Sequence, residues 1–220
     1  MKRYLSYKLS PLIPGYGSME QKLELCKINS IAKGDSCNTF WIGMENHWGT
    51  HVDCPAHFFT QGAKVTDYPC DFWFFKKPQV VKIDADPGQI IGKEDIQGGI
   101  IPETDLIIFK SGWGEFRGKN IYSLNNPGLD PELGQWLRKN YPNVRAIGID
   151  WVSISSFQRR ELGRDAHRAF LDLKGEGNPI LLIEDMNLST DLSFLTEVWV
   201  APLQIEEIDS APCTVVGFFK

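Results

Sequence analysis

The chain has 220 residues, of which 42% are hydrophobic and 23% charged, and its formal net charge is −5. That length supports one sizeable core, and an acidic balance without a basic stripe argues against nucleic acid or an anionic membrane surface as partner. Residues 1–8 carry no apolar run that would make a signal peptide, no stretch reaches membrane-spanning length, and five cysteines without a CxxC pair fit a reduced, cytoplasmic setting.

In chain order, residues 11–18 and 110–127 read as long Gly- and Pro-containing loops, suited to walling a pocket. A strand is predicted from Phe40 into residues 47–53. Further short apolar runs predict strands at 80–83, 106–109, 144–149, 180–183, 198–201 and 214–219. Asp130-Pro131-Glu132 opens a helix: aspartate caps it, proline suits its first position, and Leu133, Trp136 and Leu137 form its apolar stripe to about Asn140. A second helix is predicted over about 161–173, stopping at Gly175, with His167 on the face of Phe170 and Leu171. Strands outnumber helices and no composition break divides the chain, which predicts a single α/β domain over 1–220 with a mixed, strand-rich core.

The four histidines are unevenly spread. His47, His51 and His57 fall within eleven residues together with Asp53, and His167 stands alone. Imidazole and carboxylate are the preferred ligands of zinc and, in mixed sites, of manganese or ferrous iron, so the cluster reads as a metal site. A helix is a poor host for it, since Gly49, Thr50, Val52 and Pro55 are weak helix formers. On a strand, His47, Gly49, His51 and Asp53 line one face, with Gly49 leaving space between the rings. Pro55 then ends the strand and His57 returns on a loop. Cys54 points to the other side, as packing. His167 taken by itself reads first as a satisfied core histidine or a surface one. Glu184, where the apolar strand 180–183 closes, is equally a carboxylate delivered to an interior edge or an exposed strand end. Trp48 beside His47 is a candidate for substrate contact. The pairs Lys76-Lys77 and Arg159-Arg160 read as solvated, and Gly112-Trp113-Gly114 as a turn. No GxSxG elbow, P-loop or GxGxxG is present, and Ser153, Ser155 and Ser156 lack the glycines of a nucleophile elbow.

The pattern His47-x-Gly49-Thr50-His51-x-Asp53-x-Pro55-x-His57 resembles the HxGTHxDxPxH signature of the cyclase family of metal-dependent hydrolases, which includes bacterial kynurenine formamidases and isatin hydrolases. Asn126-Pro127-Gly128-Leu129 before a helix, the segment 144–150 and Ala201-Pro202-Leu203 are similar to family segments in the same order. The resemblance implies a swivelling β/β/α fold and a homodimer or homotetramer. It also implies Zn²⁺ (one or two ions) or Mn²⁺, with His47 and His51 on one metal, Asp53 bridging, His167 on a second and Glu184 bridging. His57 takes the role of proton donor and acceptor. The family's N-terminal substrate-contacting tryptophan is replaced by Tyr16, and residues 174–178 are an insertion.

The chemistry so implied is hydrolysis of a non-peptide C–N bond in a small aromatic amide by metal-bound hydroxide, with His57 as the shuttle that protonates the leaving nitrogen. N-formylkynurenine leads the candidates, followed by an isatin-type cyclic amide or a lactone. Two other classes compete. A non-haem iron oxidoreductase would use His51, Asp53 and His167 but leave His47 and His57 idle, and a metal-stabilised binding module would not need His57.

Overall fold

The computed structural model describes residues 1–11, 13, 15–17 and 23–220. Its strands are β1 (Lys2–Tyr4), β2 (Leu23–Asn29), β3 (Thr39–Met44), β4 (His51–Asp53), β5 (Phe74–Phe75), β6 (Pro78–Lys82), β7 (Ile90–Ile91), β8 (Leu106–Lys110), β9 (Gly128–Leu129), β10 (Ala146–Ile149), β11 (Leu181–Glu184), β12 (Leu195–Pro202) and β13 (Ser210–Phe219). The α-helices are α1 (Asn120–Leu124), α2 (Pro131–Asn140) and α3 (Arg160–Leu171).

One mixed sheet runs in the order β5-β12-β13-β4-β11-β10-β8-β6, with β1 added against β13. The half formed by β6, β8, β10 and β11 is parallel. Antiparallel β4 joins it to the antiparallel β13, β12 and β5. The strands of the parallel half are apolar throughout because both their faces are covered. Ile107, Phe109, Ile147, Ile149 and Leu182 pack on one side with Leu133 and Leu137 of α2 and Ala166 and Phe170 of α3. Leu106, Ile108, Ala146, Leu181 and Ile183 pack on the other side with Val198, Val200 and Val215 of the antiparallel half. The α/β architecture with a mixed, strand-rich core is as the sequence predicts.

Helix α2 begins as its sequence dictates: Asp130 accepts a 2.7 Å hydrogen bond from the Glu132 amide, and Pro131 occupies the first turn. It crosses α3 at Gly134, where a Cβ would stand 2.8 Å from the Phe170 ring. Helix α3 ends at Leu171, short of the predicted Gly175. The buried Arg138 explains this. Its guanidinium donates to the carbonyls of Ala169 (2.8 Å), Asp172 (2.7 Å), Gly177 (3.0 Å) and Asn178 (3.1 Å), so the helix end and residues 174–178 close around one side chain. The loop 110–127 holds a 3₁₀ turn at Trp113–Phe116, entered through Gly112 at φ 80°, and then α1. Of the predicted loop 11–18, residues 12, 14 and 18 lie outside the described residues. All five cysteines are free, and no helix among the described residues is long and apolar enough to cross a membrane.

Candidate metal centre

β4 lies where the two halves of the sheet meet. Residues 51 and 53 of a strand face the same way, and in the register with β11 His51 stands opposite Glu184 and Asp53 opposite Leu182. His51, Asp53 and Glu184 therefore converge at one end of the sheet. α3 brings His167 onto them from its buried face. All four side chains are buried.

The hydrogen bonds fix how these groups present themselves. Nδ1 of His51 lies 2.8 Å from the Gly49 carbonyl, and Nδ1 of His167 lies 2.9 Å from the Gly163 carbonyl. A carbonyl only accepts, so both rings are protonated at Nδ1, and in the neutral rings that a metal binds Nε2 carries the lone pair. Those lone pairs face carboxylates. His51 Nε2 is 3.5 Å from Asp53 Oδ1 and from Glu184 Oε2, and His167 Nε2 is 3.6 Å from Asp53 Oδ2 and from Glu184 Oε1. Both Asp53 oxygens and His51 Nε2 are buried without a hydrogen-bond partner. Acceptors turned toward acceptors in a buried site need a cation between them, a metal ion or, without one, a proton on the imidazole. The donor set therefore fits a divalent metal ion, with Asp53 and Glu184 shared between two imidazoles. Glu184 is held by the Ile154 amide (2.7 Å) and the Ser153 hydroxyl (3.1 Å). Ser153, which lacks the glycines of a nucleophile elbow, thus helps to position a ligand.

His47 departs from its predicted place. β4 covers only residues 51–53, and the chain before it turns, with Gly49 at φ 70° where a Cβ would stand 2.7 Å from the Leu9 side chain. The glycine thus permits a left-handed turn and does not space two rings along a strand. From that turn His47 Nδ1 still lies 3.1 Å from Asp53 Oδ1, and its Nε2 3.5 Å from Asp209 Oδ2. Pro55 opens a 3₁₀ turn that returns His57, whose ring centroid is 4.3 Å from that of His47. His57 Nδ1 lies 2.7 Å from Asp209 Oδ2. Ligand-type atoms of His47, Asp53 and His57 come within 4.8 Å of one another, as do those of His51, Asp53 and Glu184.

The electrostatics carry the same sign. Burial opposes a charge on His47 and His167, yet the neighbouring carboxylates push His47 up to about 10 and His167 up to about 9. Burial likewise opposes ionisation of Asp53, but His47, His51 and His167 hold it well below the usual carboxylate range. Asp209 is held low by His47 and His57 against its own desolvation. The cluster is short of positive charge, and protons take up what a metal would supply.

A cavity of about 340 Å³ opens over the cluster. His47, His51, Asp53, His57, His167 and Glu184 all line it, and so does Tyr16, whose ring meets the edge of Phe157 at 5.6 Å. Phe58 stacks on His167 at 4.9 Å and meets His57 edge-on at 4.8 Å. Trp48 does not line the cavity. It is 2% exposed, packs with Ile13 and Leu23, and donates to the Ser10 carbonyl at 3.2 Å, because the turn that aims His47 inward aims its neighbour away. Arg160, expected to be solvated, is exposed but stands at the cavity with Arg164. Asp209 joins the site from just before β13, and no motif or spacing in the sequence marks it. Asp185, next to Glu184, holds φ 53° under a two-pronged grip from Arg117 (2.9 and 2.7 Å) and a hydrogen bond from Tyr122.

Residues 4–156 match the family model named Cyclase. The chain is 31% identical over 132 residues to the kynurenine formamidase of Geobacillus thermodenitrificans strain NG80-2, covering 60% of this chain and 59% of that enzyme. It is 25% identical over 204 residues to the kynurenine formamidase of Bacillus mycoides strain KBAB4, covering 92% and 88%. Isatin hydrolase A from Labrenzia aggregata, solved with benzyl benzoate, shares the fold at a TM-score of 0.78 and 21% identity, over 99% of this chain and 93% of that one.

Proposed function

The chain belongs to the Cyclase family, and on that premise we propose that it is a metal-dependent hydrolase that cleaves the C–N bond of a small aromatic amide. N-formylkynurenine is its leading substrate, followed by an isatin-type cyclic amide or a lactone. The observation that carries this reading is the pair of imidazole lone pairs, on His51 and His167, turned toward two shared carboxylates. His47, His51, Asp53, His167 and Glu184 would hold one or two zinc or manganese ions. When bound, such an ion polarises a carbonyl and lowers the pKa of water from about 15.7 toward about 7.

The chain's own residues do the rest. Asp209 accepts from Nδ1 of His57, which orients the ring and stabilises its protonated form. Nε2 is then the nitrogen that takes a proton from water and returns it to the leaving amine. Amide nitrogen leaves poorly unless protonated, so this transfer decides the rate, and an aryl amine leaves more readily than an alkyl one. Phe58 packs on both His57 and His167 and limits solvent at the reacting end, while Tyr16 offers an aromatic face to an aromatic substrate.

The test is turnover of N-formylkynurenine, isatin and simple lactones by metal-loaded protein. A kcat/KM above about 10⁴ M⁻¹s⁻¹ identifies a physiological substrate, and no hydrolysis of any amide, imide or ester refutes the reading. His57→Ala should keep its metal and lose about 10²–10⁴-fold in kcat. Asp53→Ala should lose metal, measured by elemental analysis.

A further inference from the structure

Arg160 and Arg164 stand at the cavity without a carboxylate partner among the described residues. Arg160 lies over the Phe157 ring at 3.9 Å, and among the described residues neither guanidinium forms an ion pair. Acidic groups nearby are already engaged: Asp165 pairs with Arg168 (3.2 Å) and Asp185 with Arg117. Asp53 and Glu184 at the floor balance one divalent cation, so a loaded floor leaves no negative charge for the arginines.

Their placement on α3 sets a direction. Arg160, Arg164 and His167 are spaced i, i+4, i+7 and share one face of the helix. At 1.5 Å per residue, Arg164 lies about 4.5 Å and Arg160 about 10.5 Å along the axis from His167. The face therefore runs from a buried ligand at the floor to two exposed cations at the mouth. A substrate whose amide lies at His167 brings its far end to the guanidinia.

We propose that Arg160 and Arg164 form an anion-recognition subsite, and that the substrate is an aryl amide bearing a carboxylate one to two helical turns from the bond cleaved. This rests on the hydrolase reading for its amide and on α3 for its carboxylate. Guanidinium forks match a carboxylate in two-pronged geometry. Neutral cyclic amides leave the subsite unused.

The test uses zinc-loaded protein and two matched pairs. Calorimetry compares 4-aminobenzoate with aniline, and kinetics compare 4-formamidobenzoate with formanilide. Arg164→Gln should weaken 4-aminobenzoate binding and raise KM for 4-formamidobenzoate about tenfold, and Arg160→Gln with Arg164→Gln about a hundredfold. Formanilide kinetics, zinc content and circular dichroism should stay unchanged. Arg164→Lys, which keeps the charge but not the fork, should fall between. The proposal is overturned if wild-type protein does not bind 4-aminobenzoate, if the double variant binds it equally well (placing its carboxylate on the metal), or if both formamides slow alike. If 4-aminobenzoate binding depends on the arginines but neither formamide is cleaved, the subsite stands and the hydrolase reading falls.

Discussion

The contact between Asp209 and His57 divides one imidazole between two duties: Nδ1 faces a carboxylate and Nε2 is left for chemistry. Asp209→Asn keeps the shape and removes the charge that stabilises protonated His57. Its kcat should fall about 10²-fold with KM and metal content little changed. Loss of metal in this variant would instead make Asp209 a ligand-positioning group of His47, which it also approaches. At this scale the sequence was informative where ligands crowd into one motif. It was silent where a partner comes from far along the chain: Asp209 lies 152 positions from His57, and no spacing announces such a pair. Trp48 shows the opposite failure: its neighbour His47 suggests substrate contact, but the turn at Gly49 aims its ring away from the cavity. Arg160 is exposed, as its charge suggests, and the phase of α3 also brings it to the cavity.

Elements were legible in proportion to how much local pattern they carry. α2 announced its cap, and the buried strands of the parallel half announced themselves as Val- and Ile-rich runs. Two-residue strands such as β5, β7 and β9 have no period to read and exist only through their partners. The predicted strand from Phe40 into the motif is two strands, because the turn before β4 separates them: β3 pairs with β2 in a hairpin of its own and β4 enters the main sheet. The end of α3 is not legible in its own residues because its stop signal is Arg138, on another helix. Arg138→Met removes four hydrogen bonds from carbonyls of a buried junction and should cost about 3 kcal/mol. That corresponds to a fall in melting temperature of about 6–12 °C for a chain of this size, with metal content retained. A change below about 1 kcal/mol would show that water replaces the guanidinium.

For the whole molecule, the empty metal cluster sets its carboxylates against protonated imidazoles, and a bound cation stabilises it further. Chelation should lower the melting temperature by about 5–10 °C, the shift expected for losing a ligand present at about a hundred times its dissociation constant. The stripped protein should also respond to pH with a definite sign. His47 and His167 have raised values in the fold, so their contribution is complete below the ordinary histidine value near 6.5 and is lost as pH rises through about 9 and about 10. Melting curves of stripped protein at pH 6 and pH 10 should differ more than those of loaded protein; equal differences would place the cation elsewhere. The position of β4 has one more outcome, which concerns time. Its two partners, β11 and β13, come from the last forty residues of the chain, and β13 also pairs with β1 at the very start. During synthesis at about 5–20 residues per second, the histidine motif emerges and waits about 8–30 s before the last strand exists to flank it. The centre thus cannot be completed until β13 has been made, and a nascent chain cut before Ser210 should hold its histidines without assembling the site.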